Sequence, residues 1–598
     1  MMTMAWGPRA GPVSFAPILA LVFSMAVPAG THGALALVGW SVAGALAYLG
    51  WSVAITALLQ RRYRRLALVA ALRAAANLLR SRAGLLRAPE GFECDQVALG
   101  RWLADEAELA ERLQAARDLL FVAPDAARYR RGTAILLHAI DLRDVLLASR
   151  LDLDLLGHDA IARSVLDRLG SGLRSIAAAL DELADALRDR TALAVRIVPE
   201  PQRLFADVSL PADDPRGRAL PLLARRAQHI ADDVTAIDAL VRGVEERLPL
   251  THSQLQRFVG PEAWPLDALR RHCTRASPVL RHAVRMSLAL GSAYFLARLL
   301  PWASHPHWLV LSVAVVLRGN LEQTLTRRNA RVLGTFIGCL LVLVLARFSA
   351  PGFVEAVFLV SVGIAHGFVN VRYWVTATAA TVMALLQSHL ADPAAGFAIG
   401  ERLADTVLGA ALGWGFSYVL PSWERHSLPQ ILARALAALD AYARRVLAAE
   451  PGAAVEQRLA RRNAYDALGA VAAAAQRSAV EPKTRRLPID EMSTFIDHGQ
   501  RLMAHLSSVR LMLARGADVL REPAAANALR EASAALSECL LRAHAGDAAA
   551  EPARAAESLP EDPPTTDPLP WLLRRLQLSL DDACRARAAA GAALARLA

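Results

Sequence analysis

Between His307 and Ala346 the chain reads HWLVLSVAVVLRGNLEQTLTRRNARVLGTFIGCLLVLVLA. An apolar run, an arginine-rich polar hinge and a second apolar run bearing glycine and threonine follow one another directly. A water-soluble fold has little use for two such runs joined by RGNLEQTLTRRNAR. In a bilayer the same order reads as a span, a cytoplasmic turn and a returning span, because arginine collects at the cytoplasmic face of membrane proteins. The segment therefore predicts membrane insertion.

Composition agrees. Hydrophobic residues make up 54% of the 598, yet 21% are charged, so the chain must segregate into apolar and polar blocks. The formal charge of +11 comes almost wholly from arginine, Lys483 being the only lysine. A pI near 10.0 would suit nucleic acid. The basic residues, however, are spread over amphipathic helices and membrane flanks, with no basic stripe studded with aromatics, and no nucleic-acid partner is expected. Cys94, Cys273, Cys339, Cys539 and Cys584 are scattered, without a CxxC pair or matching histidine spacing. Neither a disulfide framework nor a zinc site is expected from them, and a reducing cytoplasmic location suits the polar blocks. Cys339, inside an apolar run, reads as a packing residue. There is no GxxxxGK[ST] phosphate loop and no Ser-His-Asp or metal-ligand constellation, so no enzyme, metal or cofactor is expected.

Four blocks are expected in an all-α polytopic membrane protein whose helical bundles alternate with cytoplasmic α-helical domains. Residues 1–60 form a transmembrane hairpin. Ala10–Gln60 contains no Asp, Glu, Lys or Arg, enough for two spans of ~20 residues turning near Pro28–Gly33. The second run meets the Arg61–Arg65 cluster, a cytoplasmic anchor; a cleaved signal peptide would not continue into such a run. Residues 61–285 are charged, with apolar residues at three- and four-residue spacing that predicts soluble helices. Ala192–Val198 is ambiguous, and Pro199–Pro221 reads as a loop. Residues 286–423 hold six charge-poor runs, read as six spans. Their flanking arginines (among them Arg285, Arg318, Arg327, Arg328, Arg331, Arg372 and Arg425) fall on one face, which places both termini and both soluble blocks in the cytoplasm. Residues 424–598 are again amphipathic and helical, with a linker at Glu551–Leu569.

Ionisable residues in a membrane are costly to bury and mark candidate sites. Asp405, at the entrance of the last span beside Arg402, is either a proton-coupling carboxylate or an acid placed favourably at a helix N-terminus. Arg318, Asn320 and Thr324, in the break after a short span, suit a carboxylate through a guanidinium fork with amide and hydroxyl donors. Arg331 and Thr335 complete the candidate substrate set. Most of the hinge's charge serves orientation and lipid phosphate contact. Gly334 with Gly338, and Gly409 with Gly413, are GxxxG pairs for close helix packing. His366, Gln387 and His389 read as interhelical hydrogen-bonding groups.

Several of these residues also carry a family resemblance. Trp308, Thr324 with Arg327, and Arg331, Gly334, Thr335 and Gly338 resemble the Trp-led span, Thr-x-x-Arg stretch and Arg-x-x-Gly-Thr-x-x-Gly helix of the FUSC family, the fusaric-acid-resistance-like inner-membrane proteins. Arg402, Asp405, Thr406, Gly409, Pro421 and Trp423 are similar to its closing helix, and ARRNAYDALGAVAAAAQRSAVEP to its cytoplasmic helix. The resemblance implies an inner-membrane exporter of small organic, aromatic carboxylic acids, driven by the proton gradient and working with a periplasmic adaptor and an outer-membrane channel. A non-transporting membrane scaffold with partner-binding cytoplasmic domains and an anion channel are the alternative readings. The family carries a full bundle in each half, but here a single pair of spans precedes the first soluble block. Either the start lies upstream or another subunit completes the bundle, so a homo-oligomer is expected.

Overall fold

The computed structural model describes the whole chain except residues 1, 7–9, 26–30, 87–95, 122–126, 149–155, 157–158, 192–203, 206–207, 209–213, 215, 245–247, 249–250, 260–265, 276, 302–303, 348–350, 370, 392–395, 451–453, 516–522, 542–567 and 598. The ambiguous piece Ala192–Val198, much of the loop that follows it and most of the Glu551–Leu569 linker lie outside the described residues. Among the described residues every regular element is helical and none is a strand. In chain order these are α1 (Gly11–Ser24), α2 (Thr31–Leu85), α3 (Gln96–Leu120), α4 (Ala127–Ala148), α5 (Ala160–Asp189), α6 (Arg216–Arg242), α7 (His252–Gln256), α8 (Leu266–Arg271), α9 (Pro278–Leu299) and α10 (Pro306–Val316). They continue with α11 (Leu321–Leu345), α12 (Pro351–Gly367), α13 (Tyr373–Ala391), α14 (Ile399–Phe416), α15 (Glu424–Leu447), α16 (Ala454–Ser478), α17 (Ile489–Arg515), α18 (Pro523–Leu541) and α19 (Leu569–Ala595).

The helices form two compact units. The first comprises Met1–Leu46, Glu262–Ser427 and Gln476–Leu487; the second comprises Ala47–Pro261, Leu428–Ala475 and Pro488–Ala598. Helix α2 belongs to both. It is one helix of 55 residues, roughly 80 Å long at ~1.5 Å per residue. The change from apolar to charged sequence at Gln60 does not end it. Arginine is a good helix former, and the RRYRR cluster brings no glycine, proline or cap. Along its first part Trp40, Tyr48, Trp51 and Leu58 are exposed; further on Leu68, Leu72 and Leu79 are buried.

In the first unit α10 packs against α9, α14 and α1, while α11 packs against α13 and α14. Val22 of α1 shares a core with Met286, Ala289, Leu309, Val313 and Leu317, so the first N-terminal helix lies in the same bundle as α9 and α10. By length and composition alone, Val38–Leu85 and Leu321–Leu345 are long and apolar enough to cross a membrane; Val13–Val22, Pro306–Val316 and Gly352–Gly367 are shorter apolar helices. The six charge-poor runs thus map onto α9–α14, but these are unequal. Helix α10 has only 11 residues, and α14 carries Glu401, Arg402 and Asp405. His366 bonds the Val362 carbonyl of its own helix (2.9 Å).

The second unit is built as soluble helical domains are. In α5, Leu169, Leu173, Ile176, Leu180 and Leu183 are buried while Arg163, Asp167, Glu182 and Arg188 face outward. Its N-cap, Asp159, accepts the Ala162 N–H (2.8 Å), the arrangement that satisfies an otherwise orphaned donor. Helix α17 lies along α19 and α4 along α6. Between α17 and α19, His498 Nδ1 is 2.8 Å from Asp582 Oδ1 and His505 Nε2 is 3.2 Å from Oδ2. Burial pushes the Asp582 pKa up, but the hydrogen bonds from the two imidazoles outweigh it and hold it below its ordinary value. One sequence expectation is corrected here. Cys539 of α18 and Cys584 of α19 are disulfide-bonded, with Cα atoms 5.5 Å apart. A separation of 45 residues carries no pairing pattern; the packing of α18 on α19 creates the pair.

Candidate functional site

Helices α11 and α14 reverse the usual arrangement of polar and apolar faces. On α11, Thr324, Arg331, Gly334, Thr335 and Gly338 are buried, whereas Leu333, Phe336, Leu340, Leu341, Leu343 and Val344 are exposed. On α14, Arg402, Asp405, Thr406, Gly409 and Gly413 are buried, and Val407 and Trp414 are exposed. The 3.6-residue period sets residues three, four and seven apart on one face, so each helix turns a charged, small-residue stripe inward and a greasy stripe outward.

The glycines bring backbones together. A Cβ on Gly334 would lie 2.6 Å from Ala377 Cβ and 2.7 Å from the Trp374 carbonyl oxygen, and one on Gly338 2.8 Å from the Thr378 carbonyl oxygen. Both contacts are with α13. On α14, a Cβ on Gly409 would lie 2.5 Å from Ser312 Cβ of α10, and one on Gly413 3.0 Å from Val316 Cγ1. Small residues at these positions allow the close helix approach that membrane packing relies on.

That approach assembles a polar centre from α10, α11, α13 and α14. Thr335 Oγ1 lies 3.3 Å from Thr381 Oγ1 and 3.4 Å from Thr406 Oγ1, all three threonines being buried. The Arg402 guanidinium stands 4.9 Å from the centre of the Trp308 ring. Trp308 in turn stacks on His305, with 4.2 Å between ring centres. Glu401 accepts the His305 backbone N–H (2.6 Å), its other oxygen is 3.0 Å from His305 Nδ1, and Ser388 Oγ lies 3.1 Å from His305 Nε2.

Asp405 is fully buried, and neither of its carboxylate oxygens has a hydrogen-bond partner. Arg402 lies in its field together with Glu401 and His305, and Arg331 lies in the field of Arg402. Nε and Nη2 of Arg331 and Nε and Nη1 of Arg402 are likewise buried without an acceptor. An unmet buried polar atom costs about 1–3 kcal/mol, and more when charged. Three incompletely partnered buried ions in one place therefore indicate a site built for a polar guest. A cavity of about 640 Å³ between α11 and α14 is lined in part by Thr335 and Thr406 of this centre, with Phe336 and Trp414, but not by Arg331, Arg402 or Asp405. That volume lies within the ~300–1,000 Å³ of small-molecule pockets.

The residues proposed from sequence divide into two places. Arg331, Thr335 and Asp405 come together in this centre, whereas Arg318, Asn320 and Thr324 lie in the break between α10 and α11. There the Asn320 side chain caps α11 by accepting the Gln323 N–H (2.8 Å). Thr324 Oγ1 accepts the Arg318 N–H (3.0 Å) and donates to the Asn320 carbonyl (2.9 Å). The Arg318 guanidinium lies 5.3 Å from the centre of the Phe15 ring. Arg285 donates to the Gly319 carbonyl (2.9 Å), fixing the turn. Thr381 and the Ser388–His305–Glu401 group were not singled out in the sequence. His305 and Glu401 stand 96 residues apart, and only the packing of the helices pairs them.

Residues 292–416 match the family described as fusaric acid resistance protein-like. Residues 1–202 match that described as FUSC-like inner membrane protein yccS. The chain is similar to the inner membrane protein YccS of Escherichia coli, 28% identical over 250 residues, which is 40% of this chain and 34% of that protein. It is also similar to an uncharacterized protein of Neisseria gonorrhoeae, 28% identical over 223 residues, or 36% of this chain and 53% of that one. A third relative, an uncharacterized protein of Haemophilus influenzae, is 24% identical over 246 residues, 40% of this chain and 34% of its own length. The chain thus spans from about a third to about half of these relatives' length. No solved structure matches it. The two matched segments and these relatives support membership of the chain in the FUSC family of inner membrane proteins.

Proposed function

We propose that this protein is a multi-pass bacterial inner-membrane transporter that exports small organic anions, aromatic monocarboxylates among them, using the proton-motive force. The observation that carries the reading is the buried Asp405 with two partnerless oxygens, set among arginines whose donors are also unmet. Arg331 and Arg402 present two guanidinium groups beside Asp405, with Glu401 hydrogen-bonded to His305 nearby, and a monocarboxylate would meet their unmet donors. A guanidinium fork matches the two oxygens of a carboxylate. The hydroxyls of Thr335 and Thr406 offer further donors on the cavity wall, and Phe336 and Trp414 offer apolar surface for a ring. Protonation of Asp405 removes one negative charge from the site and strengthens the hold on the anion. Glu401 and His305, next along from Asp405, give the proton a titratable route.

An inside-negative potential drives an anion outward by about 2.3 kcal/mol per charge at ~100 mV. In this reading both soluble blocks and both termini are cytoplasmic, helical bundles alternate with soluble domains, and a second copy completes the membrane assembly. A periplasmic adaptor and an outer-membrane channel carry the exported acid onward. Arg327 and Arg328 of the hinge meet lipid phosphate and set orientation.

The test is benzoate flux from proteoliposomes containing the purified protein. The wild type is expected to release benzoate faster under an imposed potential, and Arg402→Gln to lower that rate about a hundredfold, ~2.7 kcal/mol. An unchanged rate in Arg402→Gln would remove the anion site. Sustained current in a planar bilayer with no proton gradient would assign a channel instead.

A further inference from the structure

The connection between α16 and α17 differs from the helices it joins. Up to Ala475 and from Pro488 onward the chain belongs to the second unit, but Gln476–Leu487 belongs to the first. Hydrogen bonds give this segment a fixed shape. Arg477 Nε and Nη2 donate to the two oxygens of Glu424 at the start of α15 (2.7 and 2.9 Å), and Glu481 accepts the Glu424 backbone N–H (3.0 Å). Ser478 Oγ accepts the Leu487 N–H (2.8 Å), which ties the two ends of the loop together. Glu424, Ser478 and Glu481 are all buried.

At the tip the chemistry reverses. Lys483–Arg485 forms one 3-10 turn, and Lys483, Arg485 and Arg486 are exposed. Arg486 donates to the Glu481 carbonyl (2.9 Å), and no carboxylate pairs with any of the three among the described residues. The loop therefore turns its acid inward and its bases outward. Being ordered already, it presents a positive face with little further entropy to lose on binding.

Its surroundings point to the occupant. Arg281, at the start of α9, donates to the Pro421 carbonyl just beyond α14 (3.2 Å). His426 is pushed down by desolvation first and then by the fields of Arg281, Arg425 and Arg485, so these three arginines converge at that end of α9 and α14. The same end carries a chain of aromatic rings. Trp414 and Tyr418 lie 5.9 Å apart between ring centres, Tyr418 and Trp423 6.0 Å, and Trp414 and Tyr418 are exposed. Exposed tryptophan and tyrosine collect at the headgroup level of a bilayer, and basic residues at that level meet anionic lipid.

We propose that the Lys483–Arg486 tip binds the headgroups of acidic phospholipids and so holds the connection between α16 and α17 at the membrane surface. This contact needs the first unit to sit in a membrane, as proposed above, but needs no transport. The benzoate flux experiment and the one below can therefore fail separately.

The test is hydrogen exchange of the full-length protein in nanodiscs of phosphatidylcholine alone and of equal parts phosphatidylcholine and phosphatidylglycerol. The amides of Lys483–Leu487 are expected to exchange at least about tenfold more slowly when phosphatidylglycerol is present. Lys483→Gln combined with Arg485→Gln, both exposed and outside the buried clamp, is expected to lose that difference while staying folded by circular dichroism. Lys483→Arg combined with Arg485→Lys, which keeps both charges, is expected to retain it. No difference between the two lipids in the wild type, a difference kept by the glutamine variant, or equal slowing by inorganic phosphate in phosphatidylcholine alone overturns the contact.

Discussion

Three fully or nearly buried aspartates set the two units of this molecule apart. In the second unit, Asp582 is gripped by His498 and His505, and Asp440 by Ser537 and Arg444. In the first unit, Asp405 has neither a hydrogen bond nor an ion pair among the described residues. The same contrast runs through the helices around them. Helix α5 buries leucine and exposes charge; α11 and α14 bury arginine, aspartate and threonine and expose leucine, phenylalanine and tryptophan. A buried acid that serves architecture is supplied with partners by the fold. One left without them, inside a reversed bundle with a cavity beside it, is the group the proposed function assigns to a guest.

The comparison can be broken at several points. The largest effect is expected from Gly334→Leu, which drives a side chain into the α13 backbone. It should destabilise the first unit by at least about 3 kcal/mol, while a leucine at Gly469 of the second unit, whose Cβ meets nothing within 4 Å, should fold normally. Thermal unfolding in nanodiscs reads both. Next come the aspartates. Asp582→Ala removes two hydrogen bonds from a buried group and should cost about 2–3 kcal/mol. Asp405→Asn, which removes an uncompensated charge, should leave stability unchanged or raise it. Equal destabilisation by the two would mean that Asp405 is architectural after all.

Acid sharpens the contrast further. The folded-state pKa of Asp582 lies below the ordinary 3.8, so its stabilisation is present above that value and is lost as pH falls below 3.8 through the lowered one. The α17–α19 contact is therefore expected to loosen in that acid window, seen as lost hydrogen-exchange protection. Asp582→Asn should abolish this step. The smallest effect is expected from Gly469→Ala in the exposed face of α16, a gain of roughly 0.5–1 kcal/mol from helix propensity. Gly409→Ala, whose new Cβ would meet Ser312 at 2.5 Å, should lose stability instead.

What could be read from the sequence follows the range of each signal. Helicity and the sites of the six helices α9–α14 are local: charge-free runs bounded by arginine show them directly. Asp405 stood out because an acid in an apolar run is conspicuous. Helix length was less legible at Arg61–Arg65, where a change of charge resembles a boundary but nothing in the backbone chemistry stops α2. Partners across the bundle were illegible, since His305–Glu401 and Thr335–Thr381 depend on which helices pack and at what height. The break at Arg318–Asn320 offered suitable chemistry, but Asn320 and Thr324 turn it inward to cap α11. Arg402 was visible only as a neighbour of Asp405; its place over Trp308, in the field of Arg331, required the fold. The Cys539–Cys584 pair was hidden for the same reason.

The central claim is that Asp405 sets the charge of an anion site formed with Arg331 and Arg402. Its most direct test is the affinity of the purified protein for benzoate, measured by calorimetry from about pH 8 to about pH 5, for the wild type and Asp405→Asn. The wild type is expected to bind more tightly as pH falls, by about tenfold or ~1.4 kcal/mol. The variant, uncharged at this position throughout, is expected to bind with the wild type's low-pH affinity at every pH. A variant that keeps the wild type's pH dependence would place the titrating group elsewhere, at His305 or Glu401, and contradict the assignment of Asp405.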